Sequence, residues 1–536
     1  MGNRSKLKPK KISKKEEMTD NHKKNGYSKL LGIKGLSAKA KIFDILAGGK
    51  IAFLNTQEAM ENDIYPAYRG VLKKGNKELV VMFDLTENLV KKGEIGLFAE
   101  VEKELKAKEG EQIIIKHLER PASIDYIRKK LDGKFLEDKE MNVIIKDLMD
   151  NRLSQVELAA FVSAMYIRGV NYEETVSLAN SIVNSGDTLN LHKKPILDKH
   201  CVGGVAGNRT TMIVVPIIAA AGCYIPKSSS RAITSAAGTA DTMEVLAPVD
   251  IQMDELKRIV LKTKGAIVWG GGMNLAAADD KLIKIRHPLS LDPKGVVLAS
   301  VLSKKKAVNA THVIIDIPIG RGAKFQDMDV AKDLANDFIN IGKKLGMKIE
   351  AVITDGSDPI GNGIGPALEC KDVLEVLEGK GPYDLREKSC ALAGGLLELA
   401  GKAPKGRGMA IAEDLINNEK ALKKFREIIG EQGGNPRIKI DELPIGEYIY
   451  QVKAEKSGRI GHVDSKILSK IARAAGSPKD IGAGIVLHRE AGDKVRKGEV
   501  ILSVYSESET KIEFAIKALE ALNPIELEQY LLKSVR

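Results

Sequence analysis

The sequence predicts an α/β fold class with a helical part. A helical domain stands beside a mostly parallel α/β domain, with an extra N-terminal β-rich domain and a C-terminal α+β domain. Three observations carry this. Short apolar runs broken by glycine fill residues 37–116, apolar residues recur at helical spacing through 118–188, and from Lys194 onward strand, glycine loop and helix alternate.

Each element follows in order. Residues 1–29 read as a disordered basic tail, because residues 1–41 hold 13 Lys/Arg against 3 Asp/Glu. Such a tail is either a solvated end or a weak tether to nucleic acid or another polyanion. Ile51–Leu54, Leu79–Phe83 and Glu111–Ile115, punctuated by Gly70, Gly75, Gly93 and Gly110, give the β-rich domain over 37–116. Pro121 opens the helices of 118–188, namely Ser123–Arg128, Met141–Leu148, Gln155–Ile167 and Tyr172–Asn184, with Ser154 and Asn171 as N-caps. Within 190–443, Ile196–Leu197, Ile267–Val268, Val313–Ile317 and Ile349–Ile353 read as buried strands between helices, hence a parallel sheet. Residues 446–536 return to β-type segments, with helices around Ile467–Ala475 and Ile512–Leu522.

Composition narrows the function. A chain of 536 residues holds two to four domains, and 43% hydrophobic with 29% charged residues excludes dominant disorder. The longest apolar stretch, Met212–Cys223, is too short to span a bilayer and contains Pro216. The basic N-terminus precedes no apolar leader, so secretion is not expected. Four scattered cysteines without a CxxC point to a reducing cytoplasm and away from structural zinc. No metal-ligand constellation is read, and no cofactor is expected. The net charge of +12 belongs to the tail; residues 42–536 hold 71 basic against 69 acidic residues, which excludes a basic body that wraps nucleic acid.

Three clusters carry chemistry. In Asp198–Thr211, a predicted strand ends in Lys199, a run of glycines and Thr210-Thr211, then enters an apolar helix. Glycine lets backbone N–H groups approach a ligand, and the helix end adds a positive dipole. The pattern is a phosphate cradle or a tight strand-to-helix turn; it is not a Walker loop, since no Gly-Lys-Ser/Thr follows. The second cluster, Pro226–Ser235 followed by Gly238-Thr239, crowds hydroxyls around Arg231 as a solvated loop or an anion site. The third runs from Lys284 to Gly295 and on to Ser300 and Lys304, which share a helix face at i, i+4. There Asp292 before Pro293 is also a common turn residue, and Lys304-Lys305-Lys306 also reads as a solvated face. Gly320–Lys324 ends a strand, where α/β sites gather ligands.

In this order and spacing, the clusters resemble the thymidine phosphorylase and AMP phosphorylase family, and its archaeal AMP-type branch most closely. Asp198–Thr211, Ser229–Pro248, Val268–Asp280 and Ile314–Lys324 carry the likeness, which extends from about Ser37 to the C-terminus. The resemblance implies a cleft between the helical domain, joined by about 279–308, and the α/β domain. Lys199, Thr211, Ser229 and Thr239 match positions that hold the attacking phosphate. Cys201 stands where the thymidine enzymes have serine and shifts that duty toward the backbone or Thr210. Gly204, Ser230, Arg231, Ala232, Ile233, Thr234, Ser235, Thr239, Ser300 and Lys324 match AMP-binding positions. Arg286, Ser300 and Lys304 match the base-contacting trio of the pyrimidine enzymes, and Asp292 matches the proton donor. Arg231 and Lys324 are candidates for the nucleotide 5′-phosphate, and His200 for a base or ribose contact or a structural role.

The activity implied is phosphorolysis of AMP, and also of CMP and UMP, by inorganic phosphate to the free base and ribose 1,5-bisphosphate. A donor at Asp292 requires burial or a like charge to stay protonated near neutral pH. A homodimer or larger homo-oligomer working in the cytoplasm is expected. The rival readings are a pyrimidine nucleoside phosphorylase and a non-catalytic nucleotide-binding protein. The run from Ala491 to Tyr505 resembles a biotinyl/lipoyl-type domain, but Ser506-Glu507-Ser508 follows where a carrier has its lysine, so scaffold or oligomer contact is expected.

Overall fold

The computed structural model describes residues 36–118 and 120–528; the basic tail read over 1–29 lies outside them. By contacts the chain divides into two compact units. One runs to Ala122 and takes in Asp150–Ser154; the other holds Ser123–Met149 and everything from Gln155 onward.

In the first unit, β1 (Leu36–Phe43), β2 (Ile51–Asn55), β3 (Tyr68–Lys74), β4 (Lys77–Thr86), β5 (Glu94–Phe98) and β6 (Gln112–His117) close into a barrel in the order β1-β5-β2-β4-β3-β6. Helices α1 (Thr56–Glu61) and α2 (Ala99–Leu105) complete it. The period-two pattern works as expected: Leu79, Val81 and Phe83 of β4 are buried while Val80 and Met82 between them are less so. Gly70 of β3 makes room for Phe83, since a Cβ there would lie 2.4 Å from that ring. Closure leaves the sheet no free edge.

The second unit begins with α3 (Ser123–Leu131), α4 (Asp138–Met149), α5 (Gln155–Arg168) and α6 (Tyr172–Asn184). Asn171 caps α6 in a capping box: its side chain accepts from Glu174 N at 2.8 Å, and Glu174 returns a bond from Asn171 N at 3.1 Å. Glu174 also accepts from the buried Lys130 Nζ at 2.7 Å and from Leu136 N at 2.9 Å. Glu174→Ala therefore strands the Lys130 charge, and urea denaturation should show this unit destabilised by about 3–5 kcal/mol.

Next come β7 (Leu197–Cys201), α7 (Thr210–Ala220), β8 (Ile225–Ser229), α8 (Thr239–Glu244), α9 (Met253–Thr263), β9 (Gly265–Trp269), α10 (Ala277–Arg286), α11 (Lys294–Ala307), β10 (His312–Ile319), α12 (Met328–Lys344) and β11 (Lys348–Asp355). Strands β11, β10 and β7 pair in parallel, and so do β8 and β9. A parallel bridge from Ile196 to Tyr224 carries the order across, so all five strands point the same way. Their carboxyl ends share one edge, where loops of such sheets collect ligands. The helix α7 is buried from Thr210 to Ala219, which explains its uniformly apolar sequence. It packs with α13 (Pro366–Leu377), α14 (Tyr383–Leu399), α15 (Gly408–Asn417) and α16 (Lys420–Glu431) in one core. The helices α10 and α11 pack against α4–α6 instead, returning the chain to the helical part.

Beyond Leu443, strands Tyr448–Lys453, Val500–Ser506 and Gly484–Leu487 form an antiparallel sheet that Gly363–Ile364 extends. Helices Ser465–Ala474 and Glu509–Ala521 lie where the sequence places them. Ser506 is fully buried and donates to Ala475 O at 2.7 Å, as a scaffold position does and a carrier's exposed tip does not. Among the described residues, no helix is long and apolar enough to cross a membrane.

Candidate active site

The strand β7 carries Lys199 to the carboxyl edge of the sheet, and residues 202–209 turn back to the start of α7. Lys199 is 1% exposed and donates to Thr210 Oγ1 at 2.7 Å, while Thr210 donates to Asn208 Oδ1 at 2.9 Å. The Cys201 sulfur accepts from Gly203 N at 3.4 Å and Asn208 Nδ2 at 3.5 Å. Burial pushes this thiol up to about 11, so Cys201 stays an uncharged thiol. Gly204 sits at φ +100°, and a Cβ there would lie 2.5 Å from Lys324 N, so the loop presses on the Gly320–Lys324 turn. Thr211 is buried in the first turn of α7. Arg209 lies inside the motif, yet nothing in its local sequence marks it out. It pairs with Glu369, donates to Ala237 O at 2.6 Å and reaches Thr239 Oγ1 at 3.5 Å. Ser229 Oγ at the end of β8 is buried with no hydrogen-bond partner.

The charge beneath this loop is unbalanced. Asp198, fully buried, accepts from Lys199 N at 2.7 Å; Lys305 Nζ lies 2.8 Å from its Oδ2 and Lys227 Nζ 3.5 Å from its Oδ1. Asp316 of β10 accepts from Thr354 Oγ1 at 2.6 Å and has Lys388 Nζ at 3.4 Å. Burial alone would raise the Asp316 carboxyl, but Lys199 and Lys388 hold it below its usual range. Four lysines thus face two carboxylates, an arrangement that favours an anion. Burial lowers the Lys199 ammonium against the pull of the Asp316 carboxylate. Lys227 falls to about 7, through burial and the nearby Lys305 and Lys199, against the opposing pull of Asp198. His200 is pushed well below its usual value by burial and then by Lys305, Lys227, Lys199 and Lys304. It is neutral at pH 7 and offers hydrogen bonds rather than charge.

The serine loop is closed by Asp241, whose Oδ2 accepts from Ala232 N at 2.7 Å and Gly238 N at 2.8 Å. Ile233, Thr234 and Ser235 stand at its tip, all three exposed, and Ser230 O accepts from Ala240 N at 3.3 Å. Arg231, a candidate for the 5′-phosphate, is not a free cation here. Its guanidinium binds Glu244 at 2.7 Å and Asp241 at 3.3 Å and stacks 5.0 Å over the Trp269 ring. Two carboxylates already match its charge. Lys324 is exposed.

A second group lies on α10 and α11. The buried Asp279 accepts on one oxygen from Ser300 Oγ at 2.7 Å and Lys304 Nζ at 2.5 Å, and its other oxygen is buried without a partner. Arg286 pairs with Asp292, and its Nε is buried without a partner. The expectation that Asp292 is buried or beside a like charge is corrected: its side chain is 52% exposed and its partner is a cation. Because Lys305 on the same helix reaches Asp198, α11 ties this group to the cradle. Arg286, Ser300 and Lys304 therefore stand on the helical side, with Lys199, Cys201, Thr210, Thr211, Ser229 and Thr239 on the sheet side.

Against known families, residues 124–186 match the helical bundle domain and 193–422 the a/b domain of the glycosyl transferase family. Residues 460–526 match the pyrimidine nucleoside phosphorylase C-terminal domain. The chain is 44% identical to the AMP phosphorylase of Pyrococcus furiosus over 501 residues, 93% of this chain and 99% of that protein. It is 43% identical to the AMP phosphorylase of Methanosarcina acetivorans over 494 residues, 92% and 97% of the two chains. Among solved structures, anthranilate phosphoribosyltransferase from Thermus thermophilus is similar in fold, with a TM-score of 0.50 at 18% identity over 57% of this chain and 99% of that one.

Proposed function

The chain belongs to the AMP phosphorylase family, and from that premise we propose that it transfers the ribosyl 5-phosphate of AMP to inorganic phosphate. A phosphate oxygen attacks C1′ and the bond to the base breaks, its electron pair leaving with the base. A proton reaches the base from Asp292, and adenine and ribose 1,5-bisphosphate form. CMP and UMP react alike, giving their pyrimidines. The observation that carries this reading is the buried excess of lysines over carboxylates under the glycine loop, which suits a dianionic nucleophile. Lys199, Thr210, Thr211, Ser229 and Thr239 are proposed to hold that phosphate, beside the Cys201 thiol. Gly204, the loop from Ser230 to Ser235, and Lys324 take the nucleotide's sugar and 5′-phosphate. Arg286, Ser300 and Lys304 face the base, with Asp279 fixing the last two.

The reading includes a homodimer or larger homo-oligomer in the cytoplasm; Val156, Tyr166 and Ile167 left exposed on α5 suit such an interface. One observation favours a second reading. With Arg231 matched by Glu244 and Asp241, the site holds one fewer free cation for a 5′-phosphate, as a nucleoside phosphorylase would. Purified protein incubated with AMP and phosphate, with AMP alone, and with adenosine or thymidine and phosphate decides between them, with base and sugar products followed by chromatography. Adenine released from AMP only when phosphate is present is the expected result. Reaction of the nucleosides instead of AMP gives the second reading, and no reaction leaves a nucleotide-binding protein.

A further inference from the structure

Lys227 is one of the four buried lysines under the glycine loop, and no individual role has been given to it so far. It lies on β8, is 5% exposed, donates to Ser228 O at 2.8 Å, and stands 3.5 Å from Asp198 Oδ1. Asp198 is already engaged by Lys305 at 2.8 Å on its other oxygen, so one carboxylate serves two buried ammonium groups. Two residues further along β8, Ser229 Oγ is buried without a partner. The groups facing Lys227 are all of this kind. The strand β7 offers Asp198, Lys199 and the neutral His200, and α11 offers Lys305, with Lys304 acting on His200. On the other side, β9 pairs Ile267 with it, and the buried face of α9 presents Leu256, Ile259, Val260 and Thr263.

We propose that Lys227 is a positioning residue that matches the charge of the attacking phosphate, taking up a proton from solvent as the dianion enters and releasing it as the phosphate departs. The inference rests on the phosphate-site reading above. Before phosphate enters, a charged Lys227 would add a second buried cation to the one carboxylate of Asp198, where burial already disfavours it. Once a dianion sits beside Lys199, the same charge is compensated. The direction of the Lys227 shift agrees: its value of about 7 makes the side chain mostly neutral at pH 8. With Lys227 charged, the four lysines exceed Asp198 and Asp316 by the two charges of a phosphate dianion.

The test is calorimetry of inorganic phosphate binding to the full-length protein at pH 8, in two buffers of different ionisation enthalpy. The expected result is uptake of close to one proton per phosphate, with affinity falling up to about tenfold between pH 8 and 9. Lys227→Met should lose both the uptake and the pH slope. The proposal is overturned if the unsubstituted protein takes up no proton, or if Lys227→Met keeps the uptake. Lys305→Met provides a separate test should Lys227→Met not fold. It leaves Asp198 to Lys227 alone, which then stays charged in the free protein. Phosphate should still bind, without proton uptake, and persisting uptake overturns the proposal. Phosphate-dependent release of adenine from AMP, assayed on the same protein, separates failure of this inference from failure of the phosphorylase reading.

Discussion

Replacing Lys199 with Met is expected to lower kcat/KM for phosphate by about 10²–10³-fold, with little change in the KM for AMP. Lys199 is the cation bonded to the first hydroxyl of α7, and the surrounding protein buries it almost completely. A charge held there acts on a phosphate through a low dielectric. Met fills similar space without charge, so the fold should persist. Removing a buried ammonium that is pulled down by desolvation should leave the thermal midpoint unchanged or raise it. Lys199→Arg should not rescue activity, because a planar guanidinium does not fit a fully buried site shaped for an ammonium. Steady-state rates with phosphate varied at saturating AMP, set beside a melting curve, check this. An unchanged phosphate KM and kcat would remove Lys199 from the site.

Asp292→Asn should reduce kcat for AMP by about 10²–10⁴-fold, the usual worth of a general acid. The half-exposed setting and the Arg286 partner make the control important. A ribose 5-phosphate bearing a nitrophenolate leaving group needs no proton to depart. If Asp292 donates the proton, the variant should cleave this substrate at nearly the unsubstituted rate. Equal losses on both substrates would mean that Asp292 serves to hold Arg286 instead.

Much of this candidate site is legible in the sequence because its proposed phosphate half is local. The end of a strand, a run of glycines and the two hydroxyls that lead an apolar helix occupy the 14 residues from Asp198 to Thr211, and each property has a short-range cause. The same holds for Asn171 with Glu174, three residues apart. The partners that set the charge are not local. Asp198 meets Lys305, and Asp316 meets Lys388, across separations that no pattern of period two or 3.6 can register. Lys304-Lys305-Lys306 shows the consequence: read as a solvated face, it contains a lysine 2% exposed. The Arg231 pairing with Glu244 is equally hidden, since nothing in the run announces that the loop folds back on α8. A usable hint does exist, because Asp198 and Lys199 are charged residues that directly continue a strand read as buried.

Lys304 and Lys305 are adjacent on α11, about 100° apart around its axis. One is bonded to Asp279 on the proposed base side, and the other is paired with Asp198 beneath the proposed phosphate site. This divides the helix into two surfaces that selection can alter separately. On the proposed assignment, substitutions at Ser300 and Lys304 would retune which base is accepted while the face at Lys305, and with it the demand for phosphate as co-substrate, is inherited unchanged. Descendants of this scaffold would then diverge in the base they release while keeping the same acceptor.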